Sequence, residues 1–493
     1  MFASPSHAEL ARFAPEIVLT AFGILVMLAA PFFERPPGAK QPSGARWLAG
    51  ISVVGVAAAI VATILPGRDA GPAFSGLISA NAFSLLVVWI ILGATLLVLL
   101  GSAGYLERDN MAPGEFCALV LFAATGMCVM ASATELVTIF IGLEVSSIAS
   151  YILVGYRRDS TLSDEAAMKY FLLGSFATAF FLYGVAMLYG ASGTTHIAQI
   201  AASPSAPAPA LLPLGLGLVL VGLGFKVSAA PFQIWTPDVY QGAPAPVTAL
   251  LSTAPKAAAF AVLLRIVASV AAVSGVWVWA LWLVAVLSMF GGNLAALAQS
   301  NVKRLLAYSS IAHAGYILAA IAAAAAVPDE WDRGVAAALF YLAAYALMKL
   351  GAFLMIAQLA GPGEQRQELS DFAGMGTRQP VAAACLSLFL FSLLGMPITA
   401  GFVAKIYVFG AALSAHFIWL ALAIAANTII GAYYYLRVIV VMYMREPQHD
   451  AQRFPIPATA AVALFAAAAG TIYIGLFPTH LADWAARAAA SLR

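Results

Sequence analysis

The sequence predicts an all-α polytopic membrane protein with about fourteen transmembrane helices. Of its 493 residues, 63% are hydrophobic and only 9% are charged, whereas a soluble domain carries about 25% charged residues. The apolar residues fall into separate runs, many of them close to the roughly 20 residues that a helix needs to cross a bilayer. The polar segments between these runs are short, which indicates that no sizeable extramembrane domain is present.

The predicted spans follow from these runs in chain order. They cover residues 15–33, 47–66, 77–102, 115–131, 133–154, 165–190, 209–230, 245–271, 277–297, 303–326, 333–360, 381–411, 415–443 and 457–478. The first run begins after the acidic Glu16 and lacks a clear small-x-small cleavage site. It is therefore predicted to be a retained membrane helix and not a signal peptide.

The charges in the loops predict the orientation. Loops after odd-numbered spans carry more lysine and arginine than the opposite side. Because lysine- and arginine-rich short loops stay in the cytoplasm, both termini are predicted to lie on the outer side of the membrane.

An internal repeat is indicated by two pairs of landmarks. The Ser-Ser pairs that begin at Ser146 and Ser309 lie 163 residues apart, and Pro231 and Pro397 lie 166 apart. The nearly equal offsets predict two five-helix repeats, helices 4–8 and 9–13, with helices 7 and 12 discontinuous at these prolines. Five is odd, so the second copy is inverted, as in many transporters. The predicted units are residues 1–111, 112–271, 272–445 and 446–493.

Ionisable residues inside the apolar runs are the candidate functional residues. They are Glu144, Lys169, Lys226, Lys256, His313, Lys349 and Lys405. A charge in mid-membrane is costly unless it is paired or hydrated, so such residues commonly mark ion or proton pathways. Buried lysine and glutamate exchange protons when their surroundings change. The set therefore predicts a proton relay.

Structural explanations remain open for some of these residues. Lys169 is close enough to a charged loop to be an interfacial lysine, and Arg265 is expected to reach the interface in the same way. His313 is alternatively a hydrogen-bonded packing residue. Lys349 is alternatively paired to a neighbour, with no role in a relay.

Prolines near the buried lysines free backbone carbonyls. Pro231 and Pro397 break their helices, and Pro255 frees the carbonyl of Leu251 because proline has no N–H to donate. Freed backbone groups beside Lys226 can hold the water that a relay needs.

The sequence carries no sign of a metal, nucleotide or nucleic-acid site. Cys117, Cys128 and Cys385 have no ligand spacing and are expected to be buried thiols. No glycine-rich phosphate-binding motif is present. The net charge of +2 gives no reason to expect nucleic acid as a partner.

Two long motifs carry a resemblance to a known family. The segments 226–244 and 395–405 resemble the antiporter-like membrane subunits of respiratory complex I, the proton-pumping NADH:quinone oxidoreductase, and the resemblance covers essentially the whole chain. Gln233 and Tyr240 stand where subunits L and M and the multi-subunit cation/proton antiporters usually carry histidine. Lys405 differs from the glutamate of subunit M, and the short C-terminal segment differs from the long lateral helix of subunit L.

The resemblance implies a membrane-arm subunit that moves protons from the cytoplasm to the outer side, driven by remote quinone reduction. Glu144 and Lys226 would form the charge pair of the first half-channel, and Lys256 would be the central lysine. His313 would join it to Lys405, with Lys169 near the cytoplasmic entrance. This chain would hold no cofactor, and NADH, FMN, iron–sulfur clusters and quinone would be bound by other subunits.

The resemblance also implies the surroundings of the chain. The expected partners are the antiporter-like subunit M, the small subunits K and J, and the lipid of a bacterial inner membrane. Three alternatives remain open: a subunit of a multi-subunit cation/proton antiporter, a subunit of a proton-pumping hydrogenase, and a purely structural spacer.

Overall fold

The computed structural model describes residues 5–33, 44–64, 71–200, 210–270, 275–446 and 455–492 of the chain. The predicted boundary between residues 271 and 272 lies outside the described residues, as do parts of the loops that predict the orientation. The four predicted units and the outward-facing termini stay predictions.

Helices make up nearly all of the described chain. In chain order they are α1 (His7–Arg12), α2 (Ala14–Phe33), α3 (Ala45–Ala62), α4 (Ala82–Arg108), α5 (Pro113–Ser132), α6 (Leu136–Val154), α7 (Thr161–Ser192), α8 (Ile197–Ile200), α9 (Leu211–Val227), α10 (Thr236–Gly242), α11 (Ala245–Leu251), α12 (Ala254–Val270), α13 (Gly275–Leu297), α14 (Val302–Ala326), α15 (Trp331–Leu359), α16 (Met375–Arg378), α17 (Pro380–Leu394), α18 (Ala400–Ser414), α19 (Ile418–Met444), α20 (Ala458–Leu476) and α21 (Pro478–Ala490). Three short 3-10 turns cover Pro328–Glu330, Pro362–Glu364 and Leu369–Phe372. A small antiparallel hairpin pairs β1 (Pro72–Ala73) with β2 (Ile78–Ser79), with Pro72 opposite Ser79.

Side-chain caps fix where several long helices begin. Asn81 accepts a hydrogen bond from the backbone of Ser84 at the start of α4. Ser160 caps α7 in the same way, and Asn301 caps α14. Such caps satisfy backbone N–H groups that have no partner within the helix. The local sequence therefore determines where these helices begin.

The predicted all-α membrane architecture is confirmed. Within the described residues, 11 helical segments are long and apolar enough to cross a membrane, the pair α11 and α12 counting as one. Four shorter apolar helices join them, over Arg46–Ala62, Leu211–Val227, Pro380–Leu394 and Ala400–Ser414. The count of about fourteen spans and the inverted repeat agree with this arrangement and stay predictions.

Both predicted helix breaks are present. Helix α9 ends at Val227, and Ser228 has a positive φ of 62° before the chain resumes in α10. Helix α17 ends at Leu394, followed by Gly395 with a φ of 90°, a conformation that glycine adopts without steric cost. The predicted twelfth span is therefore two helices, α17 and α18.

A third break separates α11 from α12 beside Pro255. The carbonyl of Leu251, which the sequence predicts to be free, accepts a hydrogen bond of 3.4 Å from the Tyr240 hydroxyl. A side chain of α10 thus replaces the missing bond within the helix.

The helices that carry most candidate residues lie at the centre of the protein. The spans of α11–α12, α14 and α15 are 100%, 94% and 94% buried, whereas those of α2 and α20 are 28% buried. Alanine is abundant in α14, and small residues let membrane helices approach closely. The central helices are therefore enclosed by protein, and the outer ones have exposed faces.

The closeness of α13 to α14 depends on Gly292. A Cβ atom at this position would lie 2.6 Å from the backbone nitrogen of Ala312 and 2.8 Å from the carbonyl oxygen of Tyr308. The neighbouring Gly291 has open space at the same position. A side chain is therefore excluded at Gly292 but has room at the adjacent Gly291.

We expect Gly292→Ala to destabilise the protein by about 1–3 kcal/mol, because it forces the backbones of α13 and α14 apart. Gly291→Ala is the matched control and should leave stability unchanged or slightly raised. Thermal unfolding of the detergent-solubilised variants measures the difference. Equal midpoints for the two variants would contradict this packing.

Candidate functional site

Lys226 lies in the last turn of α9 and is buried, with 4% of its surface exposed. Its Nζ donates a hydrogen bond of 2.9 Å to Ser147 Oγ on α6. Glu144, one turn earlier on α6, interacts electrostatically with this lysine, but the two do not form an ion pair within 4.0 Å. Oε1 of Glu144 is buried without a hydrogen-bond partner. The predicted charge pair is thus brought close and left open, with Ser147 as the direct partner of Lys226.

A small cavity lies beside Lys226. Its volume is about 10 Å³, and its lining includes the polar groups of Ser147, Tyr151, Thr178 and Lys226. A water molecule needs about this much space and two to four polar partners. The cavity therefore suits a single water at the side chain that has to gain or lose a proton.

Tyr240 lies between the first half of the site and the central lysine. It is fully buried and interacts both with Ser228, two residues beyond Lys226, and with Ser310 on α14. Tyr240 is therefore placed to connect Ser228, on the side of Lys226, with Ser310, on the side of Lys256.

Lys256 lies at the start of α12 and is 1% exposed. Its Nζ donates to the Oγ of Ser310 at 2.7 Å and to the carbonyl oxygen of the same residue at 3.1 Å. Ser310 Oγ lies 2.6 Å from the Tyr345 hydroxyl of α15. Lys256 thus begins a hydrogen-bonded branch that leads through α14 to α15.

A second branch runs beside the first and contains His313. The ring nitrogens of His313 hydrogen-bond to the hydroxyls of Tyr341 and Tyr435, at 2.7 and 3.1 Å. The Tyr435 hydroxyl also bonds to Ser309 Oγ, which accepts a bond of 2.9 Å from Lys349. His313 is therefore hydrogen-bonded on both ring nitrogens and is linked to Lys349 through Tyr435 and Ser309.

The two branches meet at the His313 ring. Its centre lies 5.2 Å from the ring centre of Tyr345, on the Lys256 branch. It lies 5.7 Å from the ring centre of Tyr316, on the side of Lys405. His313 is thus the common neighbour of both branches.

Lys405 closes the far end of the cluster. Its Nζ donates a hydrogen bond of 2.8 Å to the carbonyl oxygen of Leu394, the last residue of α17. It also lies 5.2 Å from the ring centre of Tyr316. Lys405 therefore caps the broken end of its own span and reaches His313 through an aromatic ring, with no hydrogen bond between them.

Lys349 belongs to this cluster, although the motifs left its role open. It is fully buried, and it bonds to the Leu306 carbonyl at 2.6 Å in addition to Ser309. Tyr341, Tyr345 and Lys349 follow one another at a spacing of four residues, which places them on one face of α15. That spacing is the signal that the sequence offers for the α15 part of the network.

Two further cations lie outside the lysine cluster, and for Lys169 the place near the cytoplasmic entrance stays a prediction. The side chain of Lys169 is 41% exposed and pairs at 2.7 Å with both Glu165 and Asp238, so it is an edge residue and not part of the buried cluster. Arg265 is expected to reach the interface, and its partners lie at the ends of two other helices. It is 7% exposed and donates to Ser84 Oγ at 2.6 Å and to the Ala131 carbonyl, because polar acceptors at the ends of α4 and α5 satisfy it within the protein.

The site consists of amines, hydroxyls, an imidazole and one carboxylate. Within the ranges described above, no group of three or more His, Cys, Asp or Glu side chains is placed to hold a metal ion. Amines, hydroxyls and imidazoles both donate and accept when neutral. The chemistry available at the site is therefore proton transfer.

Comparison with known proteins gives a consistent family. The sequence profile described as NADH:quinone oxidoreductase/Mrp antiporter, TM, matches residues 133–431. NADH-quinone oxidoreductase subunit N 1 of Solibacter usitatus is 46% identical, over 98% of this chain and 97% of that protein. Subunit N 2 of Koribacter versatilis is 48% identical, over 100% of this chain and 99% of that protein.

Solved structures agree with the sequence comparison. A chain of respiratory complex I from Thermus thermophilus with bound aureothin superposes with a TM-score of 0.79 at 35% identity, covering 95% of this chain and 98% of that one. A chain of the Mrp complex from Dietzia sp. shares the fold, with a TM-score of 0.81 at 22% identity over 98% of this chain and 97% of that one. The chain belongs to the NADH:quinone oxidoreductase/Mrp antiporter family of membrane subunits, where it groups with subunit N of NADH-quinone oxidoreductase.

Proposed function

We propose that this chain is a proton-translocating membrane-arm subunit of a bacterial NADH:quinone oxidoreductase. It moves protons from the cytoplasm to the outer side through the buried Glu/Lys/His network. The observation that carries the proposal is the buried cluster around His313, which hydrogen bonds join to Lys349 and the rings of Tyr345 and Tyr316 join to Lys256 and Lys405.

The cluster suits proton transfer because its charges are unbalanced. Among the described residues, none of the three lysines has a carboxylate within 4.0 Å. Their charges also act on His313, so a proton on one group disfavours a proton on the next. A proton that arrives at Lys256 thus promotes the departure of another toward Lys405.

The first half supplies the proton. Glu144 interacts electrostatically with Lys226, and a carboxylate that approaches the lysine favours its charged form, whereas withdrawal of the carboxylate releases the proton. Tyr240 then passes it toward Ser310 by donating its own hydroxyl proton and accepting another. Ser228, which interacts with Tyr240, lies between Lys226 and Tyr240 along the chain and offers a hydroxyl for the preceding step of this transfer.

The energy comes from outside the chain. NADH, FMN, iron–sulfur clusters and quinone are bound by other subunits of the complex, and this chain takes no part in electron transfer. Its neighbours are the antiporter-like subunit M and the small subunits K and J. It lies in the bacterial inner membrane as a multi-pass protein, with both termini on the periplasmic side, an orientation supported by the lysine- and arginine-rich loops.

Replacing Lys256 by alanine in the assembled complex should strongly lower quinone-linked NADH oxidation and proton pumping, because Ser310 loses the amine with which it exchanges a proton. Peripheral NADH-dehydrogenase activity with a soluble acceptor should be kept. Ser252→Ala, one turn away and bonded to the Ala249 carbonyl of its own helix, is the control. Pumping at the normal proton-to-electron ratio in the Lys256 variant would refute the relay.

Lys405→Arg should also impair pumping although it keeps the positive charge. Arginine, with a pKa above about 12, does not release a proton on the timescale and at the pH of turnover. Proton uptake and release in proteoliposomes measure the effect. Full pumping with arginine would show that charge alone is needed at this position.

The composition of the purified complex separates this function from cation exchange. We expect the chain to co-purify with NADH-oxidising peripheral subunits and to pump protons in buffers free of Na⁺ and K⁺. Co-purification with antiporter subunits alone, with proton movement that requires Na⁺ or K⁺, would favour a cation/proton antiporter.

A further inference from the structure

A buried ion pair lies outside the lysine cluster, at the end of the central helices. Glu364, in the turn after α15, and Lys303, in the first turn of α14, are 2.7 Å apart, and both side chains are fully buried. The Glu364 carboxylate also accepts a hydrogen bond of 2.6 Å from Tyr105 of α4. A buried pair is costly to desolvate and persists when further hydrogen bonds satisfy it.

The pair forms hydrogen bonds on both sides of the break between α10 and α11. Lys303 donates a hydrogen bond of 2.6 Å to the carbonyl oxygen of Ala243, the last residue before the break. Glu364 accepts 2.6 Å from the backbone nitrogen of Ala245, the first residue of α11. The two peptide groups that flank Pro244 are thus held by opposite charges of one ion pair.

Arg304, the residue after Lys303 in α14, also binds α10. Arg304 pairs with Asp238 at 2.5 Å and donates to Gln241 at 3.1 Å. The first turn of α14 therefore fixes the whole of α10, including Tyr240, relative to itself.

Charge balance keeps Glu364 ionised. Burial alone would raise the pKa of this carboxyl group, but Lys303 and Arg157 outweigh it and hold the pKa below its ordinary value. Arg157 lies 3.5 Å from Glu364 and is itself paired with Asp109 at 3.1 Å. Removing the Glu364 charge therefore leaves Lys303 as the member of the cluster without a counter-charge.

One face of α14 joins this ion pair to the proton network. Lys303, Ser310 and His313 are separated by seven and three residues, which places them on a single stripe of the helix. Lys303 and Ser310 are about 10 Å apart along the axis. A rotation of α14 that frees Lys303 therefore also moves Ser310 away from Lys256 and Tyr240.

We propose that Glu364 and Lys303 are a positioning pair, which sets the register of Tyr240 and Ser310 by clamping the α10–α11 break onto α14. The pair carries no transferred proton. This inference rests on the proposed function, since the register matters only if protons pass from Tyr240 to Ser310.

The test compares Glu364→Gln with the double variant Glu364→Gln/Lys303→Met in the whole complex. The single variant leaves the Lys303 cation buried without its carboxylate and should lower both complex stability and pumping. The double variant removes both charges, so stability should recover. Pumping should stay severalfold below normal, because the Ala243 carbonyl has lost its clamp. Glu368→Gln, an exposed glutamate of the same loop, is the control.

Hydrogen–deuterium exchange supplies a readout that does not depend on pumping. Backbone exchange in residues 243–251 should rise in both Glu364 variants and stay normal in the control. Pumping that recovers together with stability, or unchanged exchange, would overturn the positioning role. If Lys256→Ala pumps normally, the proposed function fails, and the exchange result alone then decides whether the pair clamps the break.

Discussion

The structure depends on one constraint: each backbone group that a helix break frees has to find its partner inside the protein, because hydrocarbon offers none. The partners are mostly the ionisable and aromatic residues of the site. Lys405 donates a hydrogen bond to the Leu394 carbonyl, and Tyr240 donates one to the Leu251 carbonyl. Away from the breaks, Lys349 bonds to a helical carbonyl in the same manner. Two of the groups proposed to carry protons, Lys405 and Tyr240, thus also satisfy carbonyls at the helix breaks.

This double use links proton occupancy to helix position. A lysine that gains or loses a proton changes the strength of its bond to a carbonyl, since a charged donor bonds roughly twice as strongly as a neutral one. At Lys405 the carbonyl belongs to the end of α17, and the lysine itself belongs to α18. A change of charge at Lys405 therefore acts directly on the joint between the two halves of this span. The ion pair of Glu364 and Lys303, in contrast, keeps its charges. A constant charge suits the break between α10 and α11, because the two helices there have to keep a fixed position relative to α14.

Much of the fold was accessible from the sequence, and less of the site. Apolar runs and prolines are local signals, so the helices and the breaks at Pro231 and Pro397 follow from them. Partners in space are not local. For Arg265, nothing in the neighbouring sequence shows that Ser84 and Ala131 lie within its reach. Glu364 went unnoticed because a glutamate in a polar loop looks solvated, and only the packing of α4, α11 and α14 around it makes it a buried counter-ion.

The two halves of the site differ in how far their polar groups are satisfied. In the second half, His313, Lys349 and Lys256 all have hydrogen-bond partners. Around the α9–α10 break, buried oxygens without partners accumulate: they belong to Glu144, Ser146, Ser228, Gln233 and Thr236. Buried polar atoms of this kind are sites for water. Gln233 cannot release a proton at neutral pH, and the buried oxygen of its amide is an acceptor for such a water. In the proposed relay the residue can therefore bind water but cannot itself carry the proton.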